Sequence, residues 1–412
     1  MSPDAHASAV AAPASLARDV SVISLVGVAH ATSHVFQMCL PPMFPLLRDE
    51  FGISFGALGM VVAAFYVASG IGQAFVGILV DRWGGRPVLA CGMALLAFCI
   101  GLMALAPSFW MLYPLAVMAG LGNCVFHPAD FSMLAHRVDR SRHGRAFSVH
   151  AFGGTLGFAA SPILLSAIAF AIGWREALLL ASAWGLAMAA AVWLAGDLLG
   201  RGPAAADARR ESPREIASGF LKLVTMPALL VAFVYLTMTA TAGGGLQTYG
   251  AVALSALHDL QFQLATAVIS AYLIGNAGGI LLGGPLADMT DRHGLIAGVG
   301  LVLAGALVAL ASFPGLTQFQ VMALFSVGGV CVGVTAASRD VLVKKVAPKG
   351  SLGRTFGLVY SGFDIGSMLG PLALGWFMDH GMPQGVILGV AAVFVLTTVA
   401  IRLVSRRAEA NA

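Results

Sequence analysis

Apolar residues in this chain come in runs of about 20, a length that lets a helix cross a bilayer. The runs lie near residues 21–46, 56–79, 87–106, 109–135, 146–170, 175–199, 223–250, 262–285, 294–313, 316–343, 354–377 and 384–404, and short loops holding glycine, proline or charge separate them. They are far too long for barrel strands, and helices satisfy their backbone groups within each span. The pattern predicts an all-α membrane protein with twelve transmembrane helices.

Two motifs occur twice. GILVDRWGGRPVL begins at Gly77 and GGPLADMTDRHG at Gly283, which puts Asp81 and Asp288 207 residues apart. GRAFSVHAFGGTLGFAASP from Gly144 is matched by GRTFGLVYSGFDIGSMLGP from Gly353, a step of 209. Each step carries a loop onto a loop on the same side, so the chain divides into two six-helix halves that are parallel repeats about the membrane normal. The expected organisation is a disordered cytoplasmic N-terminus (1–20), a first half (21–199), a polar linker (200–222), a second half (223–404) and a short tail (405–412).

Composition narrows the class. Charged residues are 10% of the chain and apolar residues 58%, whereas soluble domains carry about 25% charge. Basic residues such as Arg82, Arg86, Arg137, Arg142, Arg292, Lys344, Lys345 and Arg402 fall in alternate loops and near the termini, while the opposite loops hold Arg48 and Arg175. This asymmetry predicts that both termini are cytoplasmic. The net charge of +4 then reports topology and a lipid-bilayer partner, with no indication of nucleic acid. The five cysteines show no CxxC spacing, so no disulfide framework or zinc ribbon is expected. The 50 glycines suit helices packed closely in lipid. Gly275, Gly279 and Gly283 form one small-residue stripe, and Gly366 and Gly370 another.

Six plus six spans, a central linker and the G-x-x-x-D-R-x-G-R loop after the second span resemble the major facilitator superfamily. HATSH with FPLLRDEFGIS from His30, VFHPADFS from Val125, and RHGRAFSVHAFGGTLGFAASP from Arg142 resemble the fosmidomycin-resistance group of bacterial exporters. The resemblance implies a secondary transporter of the bacterial inner membrane that works by alternating access, with the substrate held between the halves. It also implies that the loop residues Asp81, Arg82, Arg86, Asp288 and Arg292 latch one conformation; the plainer alternative is that they only set topology. Where the group has His-x-x-Asn-Asp, this chain keeps His30 but has Ser33 and His34. Where the group has Phe-His-Pro-Glu, it keeps Phe126, His127 and Pro128 but has Ala129.

The residues themselves add candidates. His30 and His34 share one face of the first span, with Gln37 and Met38 a turn further on. Ionisable groups inside a membrane are costly and usually functional, and histidine titrates near neutrality. His127 and Asp130 lie in span four, where Pro128 should kink the helix and free a carbonyl; Asp130 points about 100° from the position of the missing acid. His150 could join His127 at the inner mouth. Asp364 is the mid-membrane acid of the second half, and Gln247 and Asn276 are further polar groups for the cavity. Arg339 and Asp340, being adjacent, should face different directions at a gate or interface.

No Walker loop, HExxH or GxSxG motif occurs, so neither ATP-driven pumping nor hydrolysis is indicated; no cofactor and no enzymatic activity are expected. The reading is proton-coupled efflux of a small polar or amphiphilic compound by a monomer, with protons as the second partner. One alternative is transport of copper or nickel by a His30, His34 and Met38 ladder, whose donors suit those ions. A transporter-like sensor is an alternative of another class.

Overall fold

The computed structural model describes residues 15–139, 142–200, 221–346, 348 and 352–410. Fourteen α-helices account for the described architecture: α1 (Leu16–Gln37), α2 (Phe44–Phe51), α3 (Phe55–Trp83), α4 (Gly85–Ala104), α5 (Leu112–Asn123), α6 (Phe126–Arg137), α7 (His143–Ile172), α8 (Trp174–Leu194), α9 (Pro227–His258), α10 (Phe262–Asp288), α11 (His293–Leu310), α12 (Gln318–Val346), α13 (Leu352–Asp379) and α14 (Pro383–Ala410). Among the described residues, eleven spans are long and apolar enough to cross a membrane, with α5 and α6 counted together as one. The twelfth long helix is α13, 28 residues in length, whose run is broken by Ser361, Asp364 and Ser367.

Local chemistry explains the boundaries. Ser15 opens α1 by accepting from the Arg18 amide at 3.3 Å, so the helix begins within the stretch expected to be disordered; residues 1–14 lie outside the description. The first span is shorter than the apolar run, because Pro41 and Pro42 start a separate 3-10 turn that leads into the short α2. The fourth span breaks between α5 and α6 at Cys124 and Val125. Cys124 is four residues before Pro128, the position whose carbonyl loses its amide donor. Gly84 (φ 85°) and Gly173 (φ 119°) each join two long helices as a single residue, a conformation that a side chain would strain. At the C-terminal end α14 runs on to Ala410, so the expected tail is helical as far as it is described. The linker residues 201–220 lie outside the description.

The repeat is built into the helices. From α3 to α10 the start moves from 55 to 262, a step of 207; from α7 to α13 it moves from 143 to 352, a step of 209. These four helices also make the seam, with α3 against α13 and α7 against α10. Exchanging the halves exchanges the two pairs, as a parallel repeat requires. Large apolar side chains such as Phe75, Leu282, Trp184 and Val399 are exposed on the bundle's exterior, where lipid tails are the natural solvent. The end carrying both described termini is called here the terminal face, and the opposite end the far face.

The glycine stripes decide how closely the helices approach. A Cβ added at Gly275, Gly279 or Gly283 of α10 would run into the backbone of α12 at Ser326, Val330 or Val334. The packing is mutual, since Gly329 and Gly333 of α12 lie against the Tyr272 and Asn276 carbonyls of α10. Gly366 and Gly370 of α13 meet the Thr237 and Thr241 carbonyls of α9 in the same way. Gly278, one residue off the stripe, has open space around it. Gly279→Val should therefore destabilise the protein by about 1–3 kcal/mol or more, whereas Gly278→Ala should be neutral. Thermal melting of the purified variants in detergent checks the contrast, and equal melting points would refute the packing account.

Candidate functional site

Four histidines and one aspartate converge inside the first half. α1 supplies His30 and His34 from one face, the C-terminal piece of the broken span, α6, supplies His127 and Asp130, and α7 supplies His150. α7 makes room by being bare where it passes α1: a Cβ at Gly154 would lie 2.9 Å from His30 Nε2 and 3.0 Å from His34 Cε1. The rings of His30 and His150 stack with centroids 3.6 Å apart. His34 is 4.5 Å and His127 5.1 Å from His30 by the same measure. His34 also sits edge-on to Phe158 at 4.1 Å.

Asp130 is the anchor. Its side chain is fully buried, and Oδ2 lies 2.9 Å from His150 Nε2 in a hydrogen bond. His30 Nδ1 is 3.2 Å from the same oxygen but lies off the line for a hydrogen bond. A carboxylate in so apolar a place survives only with donors or cations around it. His150 thus belongs with His30 and Asp130 at the cluster's core; its ring is 6.2 Å from that of His127. Asp130, about 100° round the helix from the position of the group's acid, points into the histidines.

A second set of contacts links this cluster to the other half. His127 is exposed toward its surroundings, and its Nδ1 is 3.3 Å from Gln73 Oε1 on α3. Gln73 Nε2 in turn donates to Asp364 Oδ2 on α13, also at 3.3 Å. Gly70 permits this approach, because a Cβ there would lie 3.0 Å from Asp364 Cβ. Asp364 is 12 residues into α13, about 18 Å along a helix of about 42 Å. One amide therefore spans the seam near mid-membrane, with a histidine at one end and a carboxylate at the other. Further toward the far face, Gln37 donates to Asn123 (3.3 Å), which donates to Ser69 (3.0 Å), tying α1, α5 and α3 together.

The sequence model of the Major Facilitator Superfamily matches residues 26–260 and 242–412. This chain belongs to that superfamily. It is 26% identical over 388 residues to the fosmidomycin resistance protein of Escherichia coli (strain K12), covering 92% of this chain and 91% of that protein. It is 22% identical over 383 residues to the multidrug resistance protein MdtH of Shigella boydii serotype 4 (strain Sb227), covering 89% and 91%. Among solved structures it resembles a bacterial homologue of the human lysosomal transporter Spinster, inward-facing and unoccupied, with TM-score 0.78 and 16% identity over 96% of this chain and 99% of that one. The nucleoside transporter NupG follows at TM-score 0.75 and 15% identity, covering 94% and 98%. The family and fold are those of membrane transporters and not of enzymes.

Within this superfamily member the other expected residues are spread out. Arg86 donates from Nη1 to the Trp193 carbonyl of α8 at 2.7 Å. Arg82 and Arg292 are exposed, and the side chains of Asp81 and Asp288 lie outside the description. Arg339 and Asp340, expected to diverge, pair with one another at 2.8 Å, because the long guanidinium stem folds back along its own helix. Tyr360 joins them, donating to Asp340 at 2.7 Å and accepting from Arg339 at 3.2 Å. Gln247 and Asn276 are half-buried, away from the histidine cluster in sequence and half, and make no side-chain hydrogen bond among the described residues. Met38 lies one residue past the end of α1 as its C-cap, so the helical His30, His34 and Met38 ladder loses its last rung.

Sequence reasoning missed Gln73, a lone amide in an apolar run that was its own signal. It also missed the far-face contacts that join the two halves. There Asp379, ending α13, accepts from the Phe55 amide at 2.7 Å and the Gly56 amide at 2.9 Å, so one half caps a helix of the other. Tyr249 donates to the Phe55 carbonyl at 2.8 Å, and Ser166 meets Thr266 at 3.2 Å. Two cavities of about 410 and 520 Å³ open at this face. The larger is lined across the seam by Arg48, Phe55, Phe170, Phe262 and Met378, and both are remote from the histidines. Asp379→Asn should remove about 1 kcal/mol of capping and shift the conformational ratio about fivefold toward opening at the far face. A single cysteine at Ser166, in a background without native cysteines, should then react correspondingly faster with a polar thiol reagent. Unchanged reactivity would mean that Asp379 is no gate.

Proposed function

We propose that this transporter is a proton-coupled exporter of a small polar or amphiphilic compound, set in the bacterial inner membrane with the terminal face toward the cytoplasm. The observation that carries this reading is the array from Asp130 through His150, His30 and His127 to Gln73 and Asp364. Basic residues concentrated at the terminal face support the orientation. The interlocked far face supports an inward-facing state, in which substrate enters from the cytoplasm and binds between the halves. The relatives named for resistance to fosmidomycin and to multiple drugs favour export.

The array suggests how proton and conformation are coupled. With Nδ1 of His127 carrying its proton, the ring donates to Gln73, and Gln73 donates to an ionised Asp364. Hydrogen bonds to charged groups contribute about 1.5–3 kcal/mol and those between neutral groups about 0.5–1.5. Protonating Asp364 therefore weakens the seam by about 1 kcal/mol, and at 3.3 Å the bond is already long. The halves then separate more readily on this side of the seam, and deprotonation restores the link. Asp130, buried among histidines, is the partner store for protons on the other side of Gln73. The exposed arginines of the terminal face, Arg82 and Arg292, are left to steady the alternate state as that face closes.

Proton flux in proteoliposomes with an imposed pH gradient tests the reading, using phosphonates, organic acids and amphiphilic drugs as candidate cargo. A compound that collapses the gradient through the wild type should do so about tenfold more slowly or worse with Asp364→Asn, and Gln73→Leu should uncouple substrate movement from protons. Substrate flux of equal rate with and without a pH gradient, in wild type and variants alike, would refute proton coupling.

A further inference from the structure

We propose that the histidine cluster is a binding site for one divalent transition-metal ion of the borderline class, such as Zn²⁺, Ni²⁺ or Co²⁺. His30, Asp130 and His150 form its inner shell, and His34 or His127 supplies the fourth ligand. The donor atoms of His30, Asp130 and His150 lie within 4.8 Å of one another, and so do those of His30, His34 and His127. The two triads share His30. Imidazole with a single carboxylate suits these metals, whereas calcium and magnesium demand oxygen ligands.

The spacing fits an ion. Ligands about 2.0–2.1 Å from a tetrahedral zinc stand about 3.3 Å apart. His30 Nδ1 is 3.2 Å from Asp130 Oδ2, and His150 Nε2 is 2.9 Å from it, close to ligand spacing, and turning the stacked His30 and His150 rings aims their lone pairs at one ion. A second observation points the same way. Asp130 Oδ1, His30 Nδ1 and both ring nitrogens of His34 are buried without a hydrogen-bond partner. Native structures pair nearly all such atoms. A single proton would satisfy one pair of them, while a metal takes several lone pairs at once. His127, the exposed member beside Gln73, offers the way in for an ion arriving between the halves.

This inference stands apart from proton coupling, although ion and proton compete for the same lone pairs because metal ligands must be deprotonated. The test is titration of the purified full chain, carrying an affinity tag free of histidine, with Co²⁺ alone and then with Zn²⁺ in competition. The expected result is one Co²⁺ per chain with the visible d–d absorption of a tetrahedral nitrogen-ligated ion, displaced by Zn²⁺. His30→Gln, and separately the milder Asp130→Asn, should weaken binding about tenfold or more, with thermal melting reporting that each is folded. His258→Gln, whose ring bonds the Ala311 carbonyl at 2.8 Å, should bind like the wild type. Absence of binding at equimolar metal in the folded wild type would overturn the proposal, as would wild-type affinity in both cluster variants. Zn²⁺ binding without proton flux keeps the metal site and removes the proton-coupled reading; proton flux without Zn²⁺ binding does the reverse.

Discussion

A carboxylate inside a bilayer has to be answered by donors, since no water is at hand to solvate it and its charge is expensive in low dielectric. Asp130 meets that demand with imidazoles from two other helices, α1 and α7. Around this one side chain the first half acquires its polar interior. The break between α5 and α6 supplies its helix, and the bare glycines of α7 give the rings their space. Asp364 meets the same demand differently, through a single amide from the opposite half. One acid therefore organises a half, and the other acid holds the two halves in register.

That difference suits a machine that must move. Contacts within each half are made by glycine-to-backbone approach, rigid and hard to re-form in another register. Contacts across the seam add to close glycine approaches, such as Gly59 to the Pro371 carbonyl and Gly375 to Gly56, a set of few-atom hydrogen bonds, among them Gln73 to Asp364, Asp379 to the α3 amides, and Tyr249 to Phe55. Such bonds contribute about 1 kcal/mol each on balance, within reach of a proton or a bound substrate. Halves joined in part by breakable hydrogen bonds suit rocking about a central site.

The interior of this chain is unusual in holding four imidazoles near one carboxylate and leaving several of their nitrogens unpaired. Proton handling and metal ligation both draw on those lone pairs, and a cation of either kind would relieve the same unmet hydrogen-bonding demand. Two cavities of about 410 and 520 Å³ lie at the far face, on the side of Asp379. The histidine cluster and these cavities are thus separated along the membrane normal.

Much of this architecture was legible along the chain. Runs of apolar residues are a local signal, so the spans, their order and the 207–209 residue repeat could be read directly. The glycine stripes of α10 and α13 also follow from helical periodicity alone. His30, His34, His127, Asp130, His150 and Asp364 stood out because charge in an apolar run is rare. Which of them meet was decided only by tertiary packing. Asp130 and His150 are 20 residues apart, Gln73 and Asp364 291, and Phe55 and Asp379 324. Periodicity says which face of a helix a residue occupies, but not which neighbour that face is turned toward. For that reason Met38 read as part of a ladder, Arg339 and Asp340 read as diverging, and Gln73 and Asp379 went unread until the helices were assembled.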